Sequence, residues 1–277
     1  MAVVSINDVL REEILESLEG SEAILAKTIL DLTSYVKPGA DRVSIPNVAG
    51  LALSDITSGS RATAGGMTQT ASVLLLNNVK QVPEYISYAN GIQAALDQKE
   101  AFLAHAPNIF VQGVESAICN KLLTASSMDF DSYAVGSGSF NIADISKAKR
   151  FMDEARVPKS DRYMAVNAEG MEILSTFQEF QDGQKSLSTE ALKEGVVSRV
   201  KGFNVVQSED IPGTGATLKV LFYHRSAVAF ALQTSVEFVE SMIPEYGEEF
   251  VALRGIFGVI DCDNAAGAGK RKIVMSC

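Results

Sequence analysis

KAKRFMDEARVPKSDRYMAV, Lys147 to Val166, carries a helix end, a turn and a strand start in quick succession. Just upstream, Asn141 can cap a helix whose apolar face is Ile145, Ala148, Met152 and Ala155. Val157-Pro158 ends that helix, because the residue before a proline is pushed out of the helical region. Tyr163 to Val166 then reads as a buried strand, and Asn167 can cap a further helix with Met171, Leu174 and Phe177 facing inward. Two later stretches continue the block: VVSRVKGFNVVQSEDIP (Val196 to Pro212) and LFYHRSAVAFALQ (Leu221 to Gln233). They predict strands at Phe203 to Val206 and Lys219 to Tyr223, joined across Ile211-Pro212-Gly213, and a short helix near Ser226 to Leu232. Helices and strands alternate here, with a polar loop from Gln178 to Glu190 between them.

Working outward, the preceding region is the most helical. Phe102, Leu103 and Ala106 extend a stripe begun at Ile92, Ala95 and Leu96, and Phe110, Val114, Ala117, Ile118, Leu122 and Ala125 continue it. Pro107 cannot donate a backbone hydrogen bond, so it either kinks one long helix or opens a second one. Ser132 to Ser139, with Gly136 and Gly138, is a turn or linker. Earlier still, Arg42 to Ile45 and Ser72 to Leu76 are β-prone and flank Leu53 to Ser72, a run of small and polar residues that cannot bury itself. Held between two strands, that run is expected to be a long exposed hairpin. At the start, Leu10, Ile14 and Leu18 form the apolar side of a short helix stopped near Gly20. A second apolar segment, Ala23 to Leu32, runs up to Lys37-Pro38-Gly39. The end of the chain is β-rich, at Val236 to Ser241, Phe250 to Leu253, Ile256 to Asp261 and Lys272 to Met275.

Composition excludes several classes. With 277 residues, 47% of them hydrophobic, the chain is long enough for one large core or two modest ones. It has no apolar run near the roughly 18 residues a membrane helix needs, and no basic-then-apolar secretion pattern, so an intracellular product is expected. The net charge of −10 argues against tight nucleic-acid binding, which needs clustered Lys and Arg. Cys119, Cys262 and Cys277 lack metal-ligand spacing and are too few for a disulfide framework; Cys119 fits a helical core position. His105 and His224 have no carboxylate or cysteine at metal spacing, and His224, at a strand end beside Arg225, suits capping or packing. GAGKRK, Gly267 to Lys272, fails as a phosphate loop, since Asn264 and Arg271 stand where glycine and Ser or Thr are required. No catalytic, cofactor-binding or metal-binding residue is expected, and no cofactor.

Taken in order, several short features resemble a known family: Ala155-Arg156-Val157-Pro158, Asp161-Arg162-Tyr163, Lys201-Gly202-Phe203, Ser208 to Pro212, His224-Arg225-Ser226-Ala227, Tyr246-Gly247 and Asp263-Asn264-Ala265-Ala266-Gly267. Together they resemble the tailed-bacteriophage major capsid proteins of the Hong Kong phage type. That resemblance implies an α+β fold with an N-terminal arm (1–40), an extended E-loop hairpin (41–85), the spine helix of a peripheral domain (86–139), an axial mixed α/β domain (140–234) and a return to the peripheral β-sheet (235–277).

It also implies a structural protein. The expected particle is an icosahedral head shell of hexamers and pentamers around double-stranded DNA, enclosed without tight sequence-specific binding. The shell would be assembled in the host cytoplasm with scaffolding and portal proteins, and would be found in the virion. An exposed hairpin and an arm that bury little in their own subunit would take their order from neighbours, and many weak contacts would sum in a closed shell. The expected inter-subunit contacts are Asp55, Ser58, Arg61, Thr63, Met67 and Gln69 on the hairpin, and Gln178, Gln184 and Lys185 near the capsomer axis. The competing readings are an encapsulin-like nanocompartment shell and an α/β enzyme with a discrete pocket.

Overall fold

The computed structural model describes residues 24–37, 39–49, 68–87, 98–124, 140–177, 199–233, 237–262 and 271–276. Its two main sheets are built by different local rules. The second sheet grows from the stretch quoted at the outset. Asn141 caps helix α3 (Ile142–Glu154) through a capping box: its side chain accepts the amides of Ala143 and Asp144, while the Asp144 carboxylate accepts the Asn141 amide. Strand β5 (Arg162–Val166) follows, and Asn167 caps helix α4 (Ala168–Ser175) by accepting the Gly170 amide.

The turn between α3 and β5 is a cage for one cation. Arg162 is buried, donates to the carbonyls of Pro158 and Val157, and pairs with Asp153 at 2.8 Å. Three of the family-like turns hold a residue with positive φ: Arg156 (55°), Asp161 (53°) and Lys201 (49°). Lys201 and Gly202 (φ 96°) form a two-residue connection from β6 (Arg199–Val200) to β7 (Phe203–Gln207), the geometry a tight hairpin demands. With β8 (Lys219–His224) and β12 (Lys272–Ser276), the strand order is β12-β8-β5-β7-β6, with β5 parallel to β7.

The long sheet is centred on β11 (Glu248–Asp261), one 14-residue strand where the sequence suggests two. Along one side it pairs with β10 (Glu237–Ile243) and then β9 (Val228–Leu232); along the other it pairs with β4 (Asn78–Ser87). Helix α2 (Gln98–Leu123) crosses this sheet as a single helix containing Pro107, so the first of the two alternatives at that proline holds. Phe110 of α2 meets Phe257 edge-on at 6.1 Å. A Cβ on Gly255 would lie 2.4 Å from the Phe110 ring, so this close approach requires glycine. The third sheet is the hairpin of β2 (Arg42–Ala49) and β3 (Thr68–Leu75), paired in register from Arg42 opposite Leu75 to Ala49 opposite Thr68.

Several expectations are corrected. The short helix near Ser226 to Leu232 is a 3-10 turn, Arg225–Ala227, followed by strand β9, every residue of which is buried. An apolar run covered on both faces has no amphipathic period, and sequence alone cannot separate strand from helix there. The span 1–40, expected as the arm, includes elements that pack on the rest of the chain. Helix α1 (Ile24–Thr28) and β1 (Leu30–Asp31) are packed into the body, with Leu25 and Ile29 fully buried and β1 parallel to β9. Within the span 41–85, β4 is a strand of the long sheet, because its alternate residues find apolar partners along β11. Within 235–277, β12 pairs with β8 in the second sheet, burying Ile273 and Met275 in that core.

Candidate assembly surfaces

Strand alternation sorts the long sheet into two faces. Val251, Leu253, Gly255 and Phe257 share the face that carries α2, where Lys99 joins the sheet through Glu240 and Glu249 at 2.9 and 2.7 Å. Those two carboxylates hold the Lys99 ammonium above its ordinary pKa, Glu249 most. On the opposite face, Phe250 lies across from Tyr85, Ala252 from Pro83 and Ile256 from Val79. At the Gly258 end this face is covered by the root of the chain's own hairpin: a Cβ on Gly258 would stand 2.4 Å from the Leu75 carbonyl oxygen. Val79, opposite Ile256, and Tyr85, at the far end opposite Phe250, both stay more than half exposed, and the Tyr85 ring lies 5.2 Å from that of Phe250 in a tilted pair.

The exposed apolar side chains cluster by element. Val73 and Leu75 lie on the outward face of the hairpin, Tyr35 follows β1, and Met242 and Tyr246 stand at the tip of the β10–β11 hairpin, Tyr246 at 73% exposure. A groove of about 620 Å³ between α2 and β4 is lined by Phe102, His105, Ile109, Val82, Glu84 and Tyr85. Such a distribution leaves apolar area in water at the edges of the subunit, which is what a surface covered by another molecule looks like.

Of the sequence-predicted contact residues, Gln69 lies in β3 opposite Val48. Asp55, Ser58, Arg61, Thr63, Met67, Gln178, Gln184 and Lys185 lie outside the described residues. The groups weighed for chemistry have structural roles. Burial pushes the Cys119 thiol up to about 12, and it donates to the Asp210 carbonyl at 3.3 Å. His224 caps the 3-10 turn by accepting the Ser226 amide at 3.2 Å, and its pKa is lowered first by burial and then by Arg271. Lys272, almost wholly buried, pairs with Asp261 and donates to the Lys121 carbonyl at 2.9 Å, which ties the end of α2 to both sheets. Among the described residues no group of three His, Cys, Asp or Glu side chains could hold a metal ion. Among them, too, no helix is long and apolar enough to cross a membrane.

The residue that sequence reasoning missed is Glu115. It sits on the apolar stripe of α2, between Val111 and Ile118, and is only 2% exposed. Its two carboxylate oxygens accept the amides of Leu25 and Ala26, each at 2.8 Å. The signal was present, since a charged residue at a core position of a helix needs a buried partner.

The sequence profile of the phage capsid protein family matches residues 89–263, and the chain belongs to that family. It is a subunit of a capsid shell, and the encapsulin and enzyme readings gain no support. No curated protein matches it in sequence. A structure from Mycobacterium phage Che8 is similar at a TM-score of 0.71 and 18% identity, covering 91% of this chain and 90% of that one. The capsid of cyanophage P-SCSP1u is similar at 0.66 and 13%, over 90% and 86%. The capsid of a native GTA particle is similar at 0.66 and 13%, over 93% and 91%. At these identities the likeness is one of fold: the phage capsid fold of the Hong Kong phage type.

Proposed function

We propose that this subunit forms the icosahedral head shell of a tailed phage, as hexamers and pentamers enclosing double-stranded DNA. In this reading the arm lies within residues 1–40 and the E-loop within 41–85, α2 with the long sheet is the peripheral domain, and the second sheet with α3 and α4 is the axial domain. The observation that carries the reading is the hairpin β2–β3. It belongs to neither main sheet, and it presents Val73 and Leu75 to solvent. A ribbon of two strands is marginal in water alone, so a neighbouring subunit is the natural source of its order.

Asp55, Ser58, Arg61, Thr63, Met67 and Gln69 rest on that neighbour, while Gln178, Gln184 and Lys185 approach the capsomer axis. The acidic chain surrounds DNA without gripping it, since its net charge is −10. Scaffolding and portal proteins are its partners during assembly in the host cytoplasm, and it performs no catalysis of its own. Light scattering and electron microscopy of the purified protein test the reading. Megadalton closed particles are expected; a monomer or small oligomer under all assembly conditions overturns it.

A further inference from the structure

Helix α1 has five residues, far below the length at which a helix persists by itself in water. Its opening amides have no partners within so short a helix and must be satisfied from elsewhere. Both oxygens of one carboxylate do this, and that carboxylate belongs to Glu115, in the middle of α2 and 90 residues away from Leu25. The other end of α1 is held separately. The Thr28 hydroxyl bonds the Leu25 carbonyl at 2.7 Å and the buried Tyr223 hydroxyl at 2.6 Å, and Arg225 donates to the Ile29 carbonyl. After β1, the Leu32 amide donates to Phe230 and the Thr33 hydroxyl accepts the Leu232 amide. One short segment is therefore fastened to the long helix, the second sheet and the long sheet in turn.

We propose that Glu115 is a positioning residue for assembly: it fixes the first turn of α1 on α2 and with it the point of the subunit to which residues 1–23, part of the arm in the reading above, are attached. This rests on the shell reading above. Thr28, Arg225 and Thr33 act C-terminal to the first turn of α1, and the Glu115 carboxylate holds the amides of that first turn.

The test uses the full chain in three forms. E115Q keeps the shape of the side chain but presents an NH₂ group to an amide donor, so only one of the two contacts survives. I145A opens a cavity in the second core, remote from α1, and serves as a control lowered in melting temperature by at least as much. The third form lacks residues 1–23. Wild-type failure to form shells would sink the shell reading itself, separately from the anchor. Given wild-type shells, E115Q should remain a folded subunit by circular dichroism and lose at least 10-fold in shell yield, with faster amide exchange confined to residues 24–28. The truncated form should lose shells similarly, while I145A assembles. E115Q shells at wild-type yield, or normal assembly without residues 1–23, overturn the proposal. If E115Q does not fold, amide exchange in the wild-type subunit decides. Leu25 and Ala26 amides protected like those of β9 support the anchor, and rapid exchange there overturns it.

Discussion

Residues 24–36 and the hairpin of β2 and β3 are neighbours in sequence and are held in opposite ways. The first segment places Leu25 and Ile29 at full burial in the core beneath α2, and Val36 under the hairpin root. The second forms a sheet of its own that ends at Leu75, keeping Leu74 inside and Val73 and Leu75 outside. The difference teaches where a segment finds its order. A stretch with apolar residues at Leu25 and Ile29, and with buried acceptors waiting for its amides, becomes part of its own subunit. A stretch of alternating apolar and small polar residues, with one face uncovered, is held by its own subunit on the other face only.

The sharpest way to break this comparison is deletion of Gly59 to Gly66. Under the proposed contacts between molecules, soluble subunits that no longer close shells are expected; normal particles by electron microscopy would contradict the assignment. Next in size is a paired substitution read by urea denaturation. Leu25→Ala should cost about 2–5 kcal/mol of subunit stability, as buried leucines do, whereas Leu75→Ala should change it by less than about 0.5 kcal/mol. Similar losses from both would erase the distinction between the two segments. A smaller effect is expected from Gly258→Ala. Its methyl group must displace the Leu75 backbone, at about 1–3 kcal/mol, and protection of the Leu74 and Leu76 amides should fall while that of β10 holds.

The smallest effect concerns pH. The His224 pKa is depressed in the folded chain, by burial and then by Arg271, so the unfolded chain takes up its proton first as pH falls. Stability should therefore decline as pH drops through the ordinary histidine value near 6.5 toward the folded one. Glu115, raised by burial, works in the opposite direction at lower pH, since the folded state binds its proton more readily than the unfolded chain. Melting curves between pH 7 and 5 should show a shallower decline for His224→Asn than for wild type; an unchanged slope would remove His224 from the account.

Much of the second sheet was legible in the sequence, because its signals are local. Asn141 and Asn167 sit one residue before apolar helical periods, Val157-Pro158 stops a helix by sterics, and Lys201-Gly202 is turn chemistry. The long helix was equally readable from its stripe. Strand β9 was not, since five buried apolar residues in a row carry no period. Strand β4 was hidden for the opposite reason: Val79, Tyr85 and Ile86 are mixed with Lys80, Pro83 and Glu84, so apolar residues fall on both of its faces. Of the expected contact residues, only Gln69 falls within the described part of the chain, in β3. The anchor at Glu115 left a trace, a carboxylate on an apolar stripe, without naming its partner.

By itself the sequence determined the capping, the helix ends, the turns and the polar ribbon between β-prone flanks, together with an ordered set of features resembling phage capsid proteins. Each of these is a matter of backbone sterics or of side chains a few residues apart. Only the tertiary structure decided that Leu25 and Ile29 are core, that β12 closes the second sheet, and that one carboxylate reaches two amides about 90 residues away. Those outcomes depend on desolvation and on which surfaces meet, and no local pattern carries that information.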